Sequence, residues 1–313
     1  MNEGSISLAS LSGGFDLQST IESGQTYLWR REDGRCYQQV DAYGGSDWYY
    51  TVLPGSFTKS NEPEFLKVRQ HDAQLEWQST AENGYAYLKS LCRLEDDLST
   101  IRTESPTDQL IRNAFDAFAG LRLVRDPPFG CLISFICSAQ MQVPRIHRMI
   151  SRLTETYGTP ITVQRHTYRS FPEPSVLADA SESELRELSL GYRAPYVKET
   201  ADQIASGDAH PVEAMNLAYE PAREYLQQFV GVGNKVADCV LLFSLDFLQA
   251  VPLDTWIQKA LDQFYPSCVR ENYRETSRAI RSQFGNRYAG YIQTYVFAYL
   301  RSRGTVTMDT GET

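Results

Sequence analysis

Two patterns of apolar and polar positions divide the chain. Residues 15–57 carry short clusters of aromatic and β-branched side chains, among them Tyr27-Leu28-Trp29 and Trp48-Tyr49-Tyr50-Thr51-Val52. Turn residues punctuate them at Glu32-Asp33-Gly34 and Tyr43-Gly44-Gly45. Clusters of this kind between turn signals predict β-strands. Residues 62–77 read as one helix and a strand. From about residue 105 the period becomes helical: Ser105-Pro106-Thr107-Asp108 is a helix start, and Leu110, Ala114, Phe115 and Phe118 follow on one face. Further helices are expected from Asp126-Pro127-Pro128 through residues 131–137, and from Ser181-Glu182-Ser183-Glu184. Others are expected over 223–230, 234–248, 254–264, 271–283 and 288–301. The fold class this predicts is α+β. An antiparallel β-sheet domain over residues 1–104 precedes an all-helical body over 105–303 and a polar tail over 304–313.

Composition narrows the class. Of the 313 residues, 42% are hydrophobic, enough for a substantial core. Apolar runs such as Cys239-Val240-Leu241-Leu242-Phe243 fall far short of the ~20 residues that span a bilayer. Met1-Asn2-Glu3-Gly4 has neither a basic start nor an apolar stretch behind it, so neither signal peptide nor membrane anchor is expected. None of the six cysteines forms a Cys-x-x-Cys pair, so buried free thiols are expected, with no metal and no cofactor.

Charge at first argues against a nucleic-acid partner. The net charge is −9, whereas DNA-binding proteins usually carry a basic footprint. The acid is concentrated at the front. Residues 1–100 hold 8 basic and 15 acidic side chains, residues 221–313 hold 10 and 9. Lysine is scarce, at Lys59, Lys67, Lys89, Lys198, Lys235 and Lys259 against 24 arginines. An acidic, lysine-poor surface fits a cytoplasm with molar salt, where the Debye length of ~3 Å removes most long-range repulsion from DNA.

One segment reverses the reading from charge. In Leu226-Gln227-Gln228-Phe229-Val230-Gly231-Val232-Gly233-Asn234-Lys235 a helix ends at Gly231 and a second begins at once. Glycines permit the positive φ such a hairpin needs. Gly231, Val232 and Gly233 would present backbone N–H groups at a helix N-terminus, a site for a DNA phosphate that needs little side-chain charge. An ordinary helix–helix corner has the same local pattern. Lys235 and Asp254 add chemistry to it. A neutral lysine amine can attack C1′ of deoxyribose and form a Schiff base once the base departs. A carboxylate beside it stabilises an oxocarbenium-like sugar. Taken singly, Lys235 is a solvated helix residue and Asp254 an N-cap; together in this hairpin they are the candidate catalytic pair.

The segment from Phe229 through Ile257 resembles the helix-hairpin-helix DNA glycosylases, most closely the 8-oxoguanine DNA glycosylases. Other blocks extend the resemblance over most of the chain: Phe15-Asp16-Leu17, Ser23-Gly24-Gln25-Thr26-Tyr27-Leu28-Trp29-Arg30, Asp126-Pro127, Phe135-Ile136-Cys137-Ser138, Leu190-Gly191-Tyr192-Arg193-Ala194-Pro195-Tyr196-Val197, and Tyr288-Ala289-Gly290-Tyr291-Ile292-Gln293-Thr294-Tyr295-Val296-Phe297. The resemblance implies a TBP-like front sheet and a monomeric, cytoplasmic, nucleoid-associated repair enzyme. It would excise 8-oxoguanine from double-stranded DNA by base flipping and cleave the strand by β-elimination. It also implies roles. The Gly24 carbonyl would accept the N7–H that 8-oxoguanine has and guanine lacks. Phe297 would stack on the flipped base, with Cys239 near its other face and Gln293 on its Watson–Crick edge. Gln293 and Phe297, four apart, share one helix face. Tyr192 would wedge into the vacated gap, Arg193 and Arg145 would contact the orphaned cytosine, and Gln140 would help fill the strand gap.

Three positions depart from the family pattern: Val230 replaces a proline, Gln140 an asparagine, and Trp256 a histidine. Two other readings compete. A glycosylase for alkylated bases would share the architecture but typically lacks the hairpin lysine. A non-catalytic helix-hairpin-helix module would leave the Lys–Asp pair unexplained. Relatives with a four-cysteine iron–sulfur cluster do not fit, because only Cys268 follows the hairpin region.

Overall fold

The computed structural model describes residues 1–38 and 45–304. The turn expected at Tyr43-Gly44 and the tail beyond Gly304 lie outside the described residues. Five strands, β1 (Asn2–Ser7), β2 (Arg30–Arg31), β3 (Tyr49–Leu53), β4 (Glu64–His71) and β5 (Gln74–Ser79), make an antiparallel sheet in the order β1-β5-β4-β3-β2. Helices follow from Gly84 onward, so the α+β order of sheet and helical body is as the pattern predicts.

The front differs from the expectation in detail. Residues 62–77 hold no helix. β4 and β5 are a hairpin in which His71 pairs with Gln74 across Asp72 and Ala73, at φ of 47° and 60°. Left-handed residues at both turn positions match the twist of the flanking strands. The alternation expected of a half-buried strand is blurred because both faces of β4 are covered. Leu66 and Val68 enter the main core, while Phe65 packs with Val52 and Val163 on the other side. Val163 comes from a second hairpin, Pro160–Val163 with His166–Arg169, which the sequence pattern did not reveal. Within residues 15–57, Leu17–Glu22 is a helix with all six residues buried, capped by Asp16, which accepts the Ser19 N–H at 2.7 Å. Tyr27 and Trp29 are buried in a loop rather than a strand.

The body keeps the expected helices with shifted ends: Gln109–Ala117, Pro128–Cys137, Glu182–Glu187, Tyr219–Leu226, Asn234–Phe243, Thr255–Phe264, Tyr273–Gln283 and Ala289–Arg303. Asn234–Phe243 stops early because Asp126 ties down its end. The Asp126 N–H donates to the Phe243 carbonyl at 2.8 Å, and Ser244 Oγ donates to the Asp126 carbonyl at 2.7 Å. Val143–Tyr157 and Ala194–Ala205 are helices beyond the expected set. One hydrophobic core runs from Phe15 to Leu300 and joins the sheet's inner face to the body. All six cysteines are buried and unpaired, as expected. Among the described residues, no helix is long and apolar enough to cross a membrane.

A buried polar knot sets the helix that carries Lys235. Asp238, fully buried, accepts hydrogen bonds from the Tyr219 and Tyr273 hydroxyls at 2.7 and 2.8 Å. The buried Arg223 lies 3.7 Å from it. Burial pushes the Asp238 carboxyl up to about 6, against the pull of Arg223 and the two tyrosines. Asp238→Ala would strand the Arg223 charge. The expected cost is about 3–5 kcal/mol of stability, read from urea denaturation, because breaking one half of a buried pair leaves the other uncompensated. A cost below about 1 kcal/mol would mean that the tyrosines hold these helices without the carboxylate.

Candidate active site

A cleft of about 750 Å³ opens between the sheet domain's edge and the helical body. Its walls come from residues 23–27, the end of Pro128–Cys137 with the loop to Ile146, the helix Asn234–Phe243, residues 252–258, and the last helix. It gathers Gly24, Gln140, Lys235, Cys239, Asp254, Gln293 and Phe297 from across the sequence. Arg145, Tyr192, Arg193, Gly231, Val232 and Gly233 lie outside this lining.

Lys235 stands in the first turn of Asn234–Phe243 and is half-buried. Its Nζ donates to Ser138 Oγ at 3.0 Å and sits 5.5 Å from the centre of the Phe135 ring. Ser138 in turn donates to the Phe135 carbonyl at 2.7 Å, so the lysine reaches across the cleft to a fixed hydroxyl. Among the described residues that line the cleft, Lys235 is the only primary amine. Asp254 is the N-cap of Thr255–Phe264: its Oδ1 accepts the Trp256 and Ile257 N–H groups at 3.0 and 2.8 Å. Oδ2 takes no part in the cap. The structural and the catalytic readings of Asp254 are therefore compatible at one residue. Burial raises its pKa, and the cap bonds together with the Lys235 charge act in the opposite direction. Cys239, one turn on from Lys235, is a buried thiol pushed up to about 12, chiefly by desolvation. It is protonated near neutrality and unsuited to nucleophilic attack.

The far wall suits a planar ligand. Gly24 has a φ of 100°, a conformation L side chains rarely adopt, and a Cβ there would lie 3.3 Å from Phe297 Cε1. Gln25 locks the loop behind it, donating to the Thr20 and Arg122 carbonyls at 2.8 Å each and accepting from Val124 N–H at 2.9 Å. Phe297 is half-exposed while Tyr291 through Val296 are buried, so it turns an apolar ring to the cleft. Gln293 lies one turn before it, buried, accepting from Thr294 Oγ1 at 3.2 Å. A ring, a backbone edge and an amide together can hold a purine by stacking and hydrogen bonding.

Two domain models match the chain: the N-terminal domain of 8-oxoguanine DNA glycosylase over residues 7–132, and the HhH-GPD superfamily of base excision DNA repair proteins over residues 133–285. A probable N-glycosylase/DNA lyase of Methanothermobacter thermautotrophicus is 31% identical over 93% of this chain and 95% of its own. The chain belongs to the 8-oxoguanine DNA glycosylase family. The N-glycosylase/DNA lyase of Saccharomyces cerevisiae is 35% identical over 84% of this chain and 71% of its own. The crystal structure of the Clostridium acetobutylicum 8-oxoguanine glycosylase/lyase, bound to duplex DNA with cytosine opposite 8-oxoguanine, superposes with a TM-score of 0.78 at 28% identity. It covers 93% of both chains. Like these relatives, this glycosylase is a base excision repair enzyme with a helix-hairpin-helix body.

Outside the cleft, Gly231 has a φ of 84° and a Cβ there would meet Tyr196 at 2.8 Å, so the hairpin turn requires glycine. The Val232 N–H donates within the turn to the Phe229 carbonyl at 3.1 Å, and its side chain is buried. Gly233, exposed and open on all sides, caps Asn234–Phe243 without a side-chain hydrogen bond, which leaves first-turn N–H groups available. Tyr192 is 48% exposed. Arg193 is buried against it, 4.3 Å from its ring centre, and donates to the Ala139 carbonyl beside Gln140. Gln140 itself has a φ of 54°, a left-handed conformation that asparagine accepts more readily than glutamine.

Sequence reasoning missed Ser138 as the partner of Lys235, and Arg301 in the cleft wall. It also missed where the acidic glycosylase keeps its positive charge. Residues 127–172 hold five arginines and a single acidic residue, Glu155. Arg145, Arg148 and Arg152 are exposed on one face of Val143–Tyr157, the helix that leads away from the cleft. None of the three has a carboxylate partner among the described residues. Counting charge along that segment would have located them.

Proposed function

We propose that this glycosylase flips 8-oxoguanine from duplex DNA into the cleft and removes it with Lys235 and Asp254. What carries the reading is the meeting of Lys235 and Asp254 in one cleft with Gly24, Gln293 and Phe297. The Lys235 amine attacks C1′ and the glycosidic bond breaks. The base leaves with the bonding electrons and takes up a proton. The Asp254 carboxylate stabilises positive charge on the sugar meanwhile. The sugar ring then opens to a protonated imine on Nζ. Loss of a C2′ proton expels the 3′ phosphate and cleaves the strand. The Gly24 carbonyl accepts N7–H of the lesion. Phe297 and Cys239 enclose its faces, and Gln293 reads its edge. Tyr192 fills the gap left by flipping, Arg145 and Arg193 face the orphaned cytosine, and Gln140 helps close the strand. The hairpin at Gly231, Val232 and Gly233 holds a phosphate through backbone N–H groups.

In this reading the enzyme is a monomer that acts on double-stranded DNA in the cytoplasm, at the nucleoid. The unpaired arginines of Val143–Tyr157 supply local attraction for phosphate despite the net charge of −9.

A duplex with one 8-oxoguanine opposite cytosine, incubated with borohydride, should yield a covalent protein–DNA adduct. The yield should persist in molar KCl if the acidic surface is adapted to salt. Folded protein that forms no adduct at any salt would remove the imine mechanism and favour a glycosylase for alkylated bases.

A further inference from the structure

Arg301 closes the cleft on the side of Gly24, and none of the roles above uses it. Its Nη1 donates to the Ser23 carbonyl and its Nη2 to the Glu22 carbonyl, each at 2.8 Å. These are the two peptide groups immediately before Gly24. The same guanidinium lies 5.8 Å from the centre of the Phe297 ring, four residues earlier on its own helix. A Cβ on Gly24 would come within 3.0 Å of Nη1 and 3.3 Å of the Phe297 ring. Arg301, Gly24 and Phe297 therefore pack as one unit. Burial lowers the Arg301 pKa, the cost of enclosing a cation that has no carboxylate within ion-pair distance among the described residues. A half-buried cation with no ion-pair partner among the described residues calls for a geometric reason.

We propose that Arg301 is a positioning residue for lesion specificity, setting the distance between the Gly24 carbonyl and the Phe297 ring so that one purine fits with its N7 edge on the carbonyl. A planar fork suits this task. It bonds two successive carbonyls at fixed angles, which the point charge of lysine does not. The inference rests on the reading of Gly24 as the acceptor for N7–H. A misplacement of about 1 Å at such a contact can cost about 10²-fold in rate.

The test compares single-turnover excision of 8-oxoguanine and of 8-oxo-7-deazaguanine, which lacks the N7–H, with borohydride trapping on a preformed abasic site. Wild-type protein should prefer 8-oxoguanine. Arg301→Met should excise it about 10²-fold more slowly and lose most of that preference. Abasic-site trapping, which needs Lys235 but no base, should be retained. Unchanged excision and preference in Arg301→Met overturn the proposal. Wild-type protein that treats both bases alike overturns the Gly24 reading instead, and the ratio of excision to trapping in Arg301→Met still decides whether Arg301 positions the base. Loss of trapping together with excision would signal a collapsed fold and pass the decision to Arg301→Lys. That variant keeps the charge and most of the stem but cannot bridge both carbonyls, so a wild-type ratio in it overturns the proposal.

Discussion

Lys235→Gln is expected to abolish the borohydride-trapped adduct and to slow release of 8-oxoguanine by at least about three orders of magnitude, roughly 4 kcal/mol of transition-state stabilisation. Three observations lead there. Lys235 is the only primary amine among the described residues lining the cleft. The other cation in the wall, Arg301, is a guanidinium, which stays protonated and is no nucleophile. Cys239 is nearby, but its thiol is pushed up to about 12 by burial. Glutamine is nearly as long as lysine and can donate to Ser138 Oγ in the same way, so the cleft should keep its shape. DNA affinity should change by no more than about threefold, since phosphate contacts dominate it. Gel-shift titration and single-turnover excision on the same duplex measure the two quantities. An adduct that persists in Lys235→Gln assigns the imine to a different amine.

Features written into short stretches of sequence were legible before the structure. The hairpin glycines, Lys235 and the capping Asp254 sit within a few residues of the turns that orient them, and Gln293 and Phe297 are one helical turn apart. Contacts that close over long separations were not. Arg301 and Ser23 are 278 positions apart, and Lys235 and Ser138 are 97 apart. Neither pair has a local signature, because an arginine at the end of a helix and a serine after one are both common surface residues. The hairpin of β4 and β5 went unread for a different reason. Its turn is Asp72-Ala73 rather than an Asn-Gly or Asp-Gly pair, and burial on both faces removes the two-residue alternation. The helix Val143–Tyr157 did carry a signal, with Ile146, Met149, Ile150 and Leu153 at helical spacing and buried.

The acidic composition reads differently once exposure is known. Several arginines elsewhere are held by carboxylates, as in Arg274 with Glu224, Arg278 with Glu220, and Arg102 with Asp116. Exposed pairs of this kind contribute little to stability. They do neutralise positive charge at those positions, whereas Arg145, Arg148 and Arg152 are exposed and form no ion pair with a carboxylate among the described residues. Net charge sums the whole surface, whereas attraction for phosphate is set by the local distribution of charge.

Asp254→Asn should slow base excision by about 10²–10³-fold, roughly 3–4 kcal/mol, while leaving the fold and DNA affinity nearly intact. The substitution isolates the charge. Asparagine is as good an N-cap as aspartate, and its Oδ1 can accept the Trp256 and Ile257 N–H groups as the carboxylate does. What is lost is the negative charge that opposes the cationic sugar and lies near the Lys235 ammonium. The pH profile separates this from a structural effect. Because burial raises the Asp254 pKa, the carboxylate becomes protonated at a higher pH than an exposed one. Wild-type excision should therefore be full on the alkaline side of that pKa and fall as pH drops through it, and Asp254→Asn should lack that acid limb. Single-turnover rates across pH, with affinity measured at each point, check both parts. Affinity that falls in proportion to rate, or an acid limb that survives the substitution, would make Asp254 a cap and nothing more.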